Sequence, residues 1–425
     1  MEEVDSELSG ELVKPETLIP LFLASLVAAV GTYWAFVRGT SDFPVFYESW
    51  KLVLAGRGAE LYHATPDRFL YAPGFAWILS PLGLLPKDLS LALWCFAKAA
   101  VIGYCLRALS RGFGNIRYRV PLGLAAWAVV LTARPLLIDF QYGQVNTFLL
   151  GACVWALATH FDSKASGLQR YSAWFMLGVW ATAKLIVFPL FLVPIFSYSK
   201  GRSDRQLIAA TLGVAVLLLL PLLGVDSAGC IQLLYNWKDA LLSRGLPLES
   251  HNQSFSALLW HYLSGTPTRV VSEAGAMIQM GWGILSPQVI SALTFAWSGL
   301  TFVGFFTILA SKRLRNSDPV LWSALLISLL FVPSHLVWKP YFLLGLPLVA
   351  YGLKLASKGL LQNQTVLGVA IMAVYFLGMN FTGFDFIGHD LAARIEGASV
   401  MLLFHLTIVL YGLISLSRRS RSRGL

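Results

Sequence analysis

The feature that most constrains this chain is a recurrence of long apolar runs separated by short polar loops. The runs lie near 18–37, 89–109, 120–137, 145–160, 171–183, 185–198, 207–225, 289–310, 320–332, 341–356, 366–381 and 400–416. A hydrocarbon layer roughly 30 Å thick takes about 20 apolar residues per helical crossing. The pattern therefore predicts an all-α polytopic membrane protein with about 12 transmembrane helices. Composition agrees: 56% of the 425 residues are hydrophobic and 13% are charged, about half the charge of a soluble domain. The first 17 residues are acidic and polar, unlike the basic start of a signal peptide, so the run at 18–37 is expected to be a retained span.

Orientation follows from the loops. Lys and Arg exceed Asp and Glu by 32 to 22, an excess that in a soluble protein would suggest nucleic acid. Here the basic residues fall in alternate loops, RALSRGFGNIRYR, FDSKASGLQR, SKGRSDRQ, SKRLRNSD and KLASKGLLQNQ, and in the tail SRRSRSRGL. That is the positive-inside pattern, and no nucleic-acid partner is expected. It implies a multi-pass protein of the cytoplasmic membrane, with both termini cytoplasmic and an even number of spans. The chain then divides into a cytoplasmic tail (1–17), an N-terminal transmembrane module (18–225) with a first outer loop (39–88), an outer amphipathic loop (226–288), a C-terminal transmembrane module (289–417) and a basic tail (418–425). Both outer loops mix aromatic and polar residues at roughly helical spacing, as in FPVFYESWKLVLAG, which suits amphipathic helices lying in the interface among membrane lipids.

Ionisable residues near membrane depth are costly and are functional candidates by default. Asp42 opens the first outer loop in RGTSDFPVFYESW. It suits a helix N-cap, with Pro44 following, and it equally suits a catalytic carboxylate; the two roles are compatible. Lys184, between two apolar runs, either snorkels or faces a site. With Arg134 and Lys339 it forms a cationic rim able to hold a phosphate through charge-assisted bonds. His335 is a candidate proton carrier or phosphate partner. The polar stretches DFQYGQVN (with Gln144 and Asn146), SHNQS (with Asn252 and Gln253) and RFLYAPG (with Arg68 and Tyr71), together with Tyr47, offer the mixed donors and acceptors that sugar hydroxyls need. They equally suit capping and loop solvation. The four cysteines lie at spacings that suggest neither disulfides nor zinc. No DxD, HExxH, P-loop or GxSxG pattern stands where it would matter, and no metal or other cofactor is expected.

At these residues the chain resembles the polyprenol-phosphate-mannose-dependent mannosyltransferases of glycosyltransferase family 87, which have the GT-C membrane fold. The resemblance runs in order through the Asp42 loop with Tyr47, AGRGAELYHA, RFLYAPGFAWILSPLGLLP, QYGQVNTFLL, ATAKLIVFPLFLVP and NQSFSALLW. It implies a hexosyltransferase, most simply a mannosyltransferase, that takes its sugar from a polyprenyl-phosphate-linked donor. The acceptor would be a lipid or glycan at the outer face. It implies Asp42 as general base, with inversion at the anomeric carbon, and Arg134, Lys184, Lys339 and His335 around the donor phosphate. The late outer loop PSHLVWKPYF departs from the family's order, because His335 precedes Trp338 and Lys339 follows it, which fits a different donor or acceptor. Two other classes share this composition: a transporter or flippase of lipid-linked sugars, and a polysaccharide polymerase or ligase.

Overall fold

The computed structural model describes residues 15–64, 69–197, 203–243, 248–270, 277–358 and 364–422. The helices of its first half are α1 (Pro15–Val37), α2 (Phe43–Leu54), α3 (Gly74–Leu79), α4 (Lys87–Ser110), α5 (Leu122–Leu131), α6 (Ala133–Tyr142), α7 (Asn146–Phe161), α8 (Gly167–Ala183), α9 (Val193–Phe196) and α10 (Ser203–Leu219). The second half comprises α11 (Ser227–Leu242), α12 (Phe255–Leu263), α13 (Pro287–Ala310), α14 (Lys312–Ser317), α15 (Pro319–Leu329), α16 (Leu346–Lys358), α17 (Gln364–Asn380), α18 (Phe384–Ile387), α19 (His389–Gly397) and α20 (Val400–Ser422). Between α12 and α13 a two-stranded antiparallel ribbon pairs Thr268–Arg269 with Met277–Ile278. The chain is an all-α polytopic membrane protein.

Every apolar run falls on helix, but the runs are not equal. Among the described residues six helical segments are long and apolar enough to cross a bilayer: Pro15–Val37, Lys87–Ser110, Ser203–Leu223, Pro287–Ala310, Lys339–Ser357 and Val400–Arg421. A seventh is the pair α5 and α6, bent by 68° at the break between them. Other runs form shorter helices, such as α7 with 16 residues and α15 with 11. These two are apolar for a different reason. Nearly all of α7, and Val320 through Ser328 of α15, are buried inside the bundle, and an interior helix is apolar on every face whatever its length. By contrast α13 and α1 keep most of their side chains on the outside of the bundle, where lipid replaces water.

Close packing comes from small residues. Where α8 meets α10, a Cβ added at Gly178 would lie 2.0 Å from the Ala210 carbonyl oxygen, and one at Gly213 would lie 2.1 Å from that of Phe175. Only glycines allow those backbones so near, a common basis of helix association where no water drives it.

The first outer segment is not a linker. In α2 Phe43, Phe46 and Trp50 are fully buried on one face, at helical spacing, while Glu48 and Lys51 are exposed. Phe46 packs edge-on against Phe75 of α3 at 5.8 Å and at a tilt against Trp94 of α4 at 5.9 Å. This amphipathic helix is thereby pinned to the bundle rim, and its first residue is set at a fixed place beside the α6–α7 turn.

Candidate active site

The turn between α6 and α7 organises the site. Gly143 closes α6 with φ 73°, and a Cβ there would meet the Cβ of Phe43 at 2.5 Å, so glycine is needed both for the left-handed backbone and for the approach of α2. The Asp42 amide donates to the Tyr142 carbonyl at 2.9 Å. Asp42 occupies the N-cap position of α2, but its side chain makes no cap bond. The half-buried carboxylate instead accepts from Gln144 Nε2 through Oδ2 and from Ser41 Oγ at 3.3 Å through Oδ1. Of the two roles the sequence allows, side-chain capping is the one the geometry does not use.

Behind Gln144 the network continues inward. Lys184 Nζ donates to Asn146 Oδ1 at 2.8 Å and to Gln144 Oε1 at 3.4 Å, and it sits 3.8 Å from the centre of the Tyr341 ring. Asn146 Nδ2 donates to Asp139 Oδ1 at 2.9 Å and to Gln144 Oε1 at 3.3 Å. Asp139, fully buried, is paired with Lys98 at 3.0 Å and accepts from Thr147 Oγ1 at 2.6 Å. A carboxylate at the rim is thus joined through two amides to an ammonium, and then to a buried ion pair.

A second cluster lies at the other end of α6. Arg134 donates to Glu396 Oε1 through Nη2 and to Thr382 Oγ1 at 2.8 Å through Nη1. Lys339 Nζ lies 2.6 Å from the same Glu396 oxygen, and His251 Nε2 lies 3.3 Å from the other. Burial, with help from Lys339 and Arg134, pushes the His251 imidazole down to about 4 against the opposing pull of Glu396, so this histidine is neutral at pH 7. Burial tends to raise the Glu396 carboxyl, but Lys339, His251 and Arg134 together hold it below the ordinary glutamate value. Two cations thus share one carboxylate, and Asp385 acts on Lys339 as well. The turn that follows Trp338 joins the clusters: Lys339 reaches Glu396, and Tyr341, two residues on, carries Lys184 on its ring face.

The residues expected from sequence therefore separate. Asp42, Gln144, Asn146 and Lys184 converge in one network. Arg134 and Lys339 do not form an open cationic rim with Lys184, because both are drawn onto Glu396. Asn252 and Gln253 are fully buried rather than presented to a sugar. Asn252 donates to the His335 carbonyl at 3.2 Å and accepts from the Val337 amide at 3.0 Å, while Gln253 donates to the Glu396 carbonyl at 2.6 Å. They clip the 250–254 loop to its neighbours. His335 supplies that carbonyl from an exposed position. Tyr47 donates to the Leu85 carbonyl at 2.8 Å, and the Tyr71 ring packs on Phe46 and Phe75. Arg68 lies outside the described residues.

Three partners were not anticipated from sequence: Lys98, Glu396 and His251. Lys98 had a usable signal, a lysine in the middle of the apolar run LALWCFAKAAVIGYC, where an unpaired ammonium is costly. Glu396 and His251 had none, since a carboxylate or an imidazole in a loop looks the same whether or not it meets a distant cation.

A model of glycosyltransferase family 87 matches residues 69–340, more than half of the chain. The chain is similar to a polyprenol-phosphate-mannose-dependent alpha-(1-2)-phosphatidylinositol pentamannoside mannosyltransferase of Mycobacterium tuberculosis, 25% identical over 69% of this chain and 74% of that protein. It is also similar to an alpha-(1->3)-arabinofuranosyltransferase of Corynebacterium glutamicum, 22% identical over 91% of this chain and 84% of that one. No solved structure matches. With more than half of its length matched by that model, this multi-pass membrane protein belongs to glycosyltransferase family 87.

Proposed function

We propose that this protein transfers a hexose, most simply mannose, from a polyprenyl-phosphate-linked donor to a glycolipid or glycan acceptor, with Asp42 as general base and inversion at the anomeric carbon. The observation that carries the reading is the Asp42 carboxylate, half-buried at the rim and held by Gln144 in one network with the Lys184 ammonium. A general base must lie within hydrogen-bond reach of the hydroxyl that it deprotonates, and the leaving phosphate needs cationic stabilisation. The acceptor hydroxyl gives its proton to Asp42 while its oxygen bonds to the anomeric carbon. The bond from that carbon to the phosphate oxygen breaks, and polyprenyl phosphate departs with the electron pair. Lys184 is held by neutral groups, two amide oxygens and a π face, so its charge is available to that phosphate. His335, exposed on the late loop, stays a candidate proton carrier or phosphate partner.

The fold we propose is GT-C, with the shorter interior helices completing about twelve passes. The basic loops then lie in the cytoplasm with both termini, and the Asp42 end faces outward. The donor named for the mycobacterial relative supports the polyprenyl carrier, while the arabinofuranosyltransferase relative makes a pentose the competing sugar. Two observations favour a transporter instead: a broken helix pair and a charged pair within an apolar helix are transporter features. Lys98 and Asp139 are, however, completely shielded and offer no route to a moving ion.

The test is transfer by the purified full-length protein in nanodiscs, with mannosyl- and arabinofuranosyl-phosphoryl polyprenol compared as donors. Transfer by wild type and its loss in Asp42→Asn, with insertion unchanged, is expected. Undiminished transfer in that variant sinks the assignment of the base, and solute movement without transfer favours the transporter.

A further inference from the structure

We propose that the buried Lys98–Asp139 pair is a positioning device for the Lys184 ammonium, acting through the orientation of the Asn146 side-chain amide. This inference rests on the reading of Lys184 as the cation at the donor phosphate, and it adds residues whose part in the chemistry is indirect.

Lys98 lies near the middle of α4, eleven residues from its start and fully buried. A lone ammonium at that depth is strongly disfavoured. It is held by the Asp139 carboxylate at 3.0 Å, by the Asp139 carbonyl at 2.5 Å and near the Phe140 ring at 5.2 Å. The pair in turn fixes the Asp139 carboxylate, which bridges from α6 to the start of α7. Its Oδ1 accepts from the Asn146 backbone amide at 3.2 Å as well as from Nδ2 at 2.9 Å, and its Oδ2 takes the Thr147 hydroxyl.

The consequence is directional. An ionised carboxylate only accepts, so it selects the NH2 end of the Asn146 side chain. The oxygen of that amide must then point the other way, where it meets Lys184 Nζ at 2.8 Å. A flipped amide would place its oxygen against Asp139 and its NH2 against an ammonium, two repulsive contacts in a buried setting. Gln144 obeys the same logic from the rim: its NH2 faces the Asp42 carboxylate, so its oxygen faces Lys184. Two carboxylates thus orient two amides so that both oxygens converge on one lysine. The lysine is located without ever being neutralised by a carboxylate at contact distance, as Arg134 and Lys339 are.

The test uses the full-length protein in nanodiscs, with polyprenyl phosphate as the binding probe and mannosyl-phosphoryl polyprenol as the donor. All values are taken per mole of folded protein. Asn146→Ala leaves the Lys98–Asp139 pair and the Thr147 bond in place, and is expected to weaken polyprenyl phosphate binding about ten-fold, with a matching rise in donor KM. Asp139→Asn is expected to do the same and also to lower the melting temperature, because it leaves Lys98 uncompensated. The Lys98→Met/Asp139→Asn double variant is expected to regain melting temperature relative to Asp139→Asn while binding and KM remain impaired. A merely structural role moves yield and melting temperature but not affinity or KM in the folded fraction. Native affinity and KM in folded Asn146→Ala, or their recovery in the double variant, overturns the proposal. Wild type that fails to bind polyprenyl phosphate refutes the donor assignment instead.

Discussion

The two ends of α6 hold the same kinds of group and do opposite things with them. At its start, Arg134 and Lys339 touch the Glu396 carboxylate directly, with neutral His251 alongside. At its end, Asp42 and Lys184 belong to one network but are separated by the amide of Gln144. Direct contact between buried opposite charges makes a lock: the charges are satisfied, and breaking the contact strands one of them. An intervening amide holds each charge in place while leaving it able to act on something else. Under the proposed function, it is insulation of the charge rather than charge alone that separates the reactive end from the locked one.

The largest expected effects fall at the insulated end. Asp42→Asn should lower the transfer rate by about 10²–10⁴-fold, the usual contribution of a general base, and Lys184→Met by about 10²–10³-fold, both with near-native thermal unfolding. A large loss of stability in either would erase the contrast. At the locked end, Glu396→Gln should instead destabilise the fold by roughly 3–5 kcal/mol, because it leaves two buried cations uncompensated. Differential scanning fluorimetry measures that, and transfer per folded molecule should stay within a few-fold of wild type. Native stability with abolished transfer would assign the chemistry to the wrong cluster.

A smaller effect is expected from pH. His251 has its pKa lowered from 6.5 to about 4, so on acidification the unfolded chain takes up this proton before the folded one. The stabilisation is fully present above about 6.5 and is lost as pH falls toward 4, at up to ~1.4 kcal/mol per pH unit. Glu396, lowered below its ordinary 4.5, contributes fully only above that ordinary value and loses the contribution as pH falls from there through its lower folded value. Melting temperature should therefore drop between pH 6.5 and 4.5, and His251→Gln should flatten that part of the curve; an unchanged slope would remove His251 from the lock. The smallest effect is Tyr47→Phe, which removes the bond to the Leu85 carbonyl. It should cost about 1 kcal/mol in unfolding and leave donor and acceptor KM alone, whereas a raised acceptor KM would return Tyr47 to the sugar.

How much of this was readable from sequence depended on the range of the interaction. The membrane class and the amphipathic α2 follow from local periodicity. The meeting of Gln144 and Asn146 follows from their place in one short motif. Asp42 and Lys184 join them across 102 and 38–40 residues; each stands out singly as a charge near membrane depth, but their meeting is not encoded locally. Glu396 reaches Arg134 across 262 residues, a pairing that no local pattern encodes. Asn252 and Gln253 fail in the other direction: polar residues in a loop look like a sugar site until burial shows their amides turned onto backbone carbonyls. Likewise the runs of α7 and α15 read as spans like the others, because an apolar stretch does not reveal whether lipid or protein surrounds it.

The 68° bend between α5 and α6 has a consequence for depth. Arg134 and Tyr142 are eight residues apart, about 12 Å along a helix axis. Were α6 to continue α5 upright through the membrane, the two clusters would lie at levels differing by that much. Tilted by the bend from an upright α5, they differ by only about 4–5 Å on the same helical rise. A lipid phosphate is confined to a thin headgroup layer and cannot move far along the membrane normal. Folding α6 over therefore brings the two groups of charges to nearly one level along the α5 axis, which under the proposed function would let a membrane-anchored phosphate meet either without moving far along the normal.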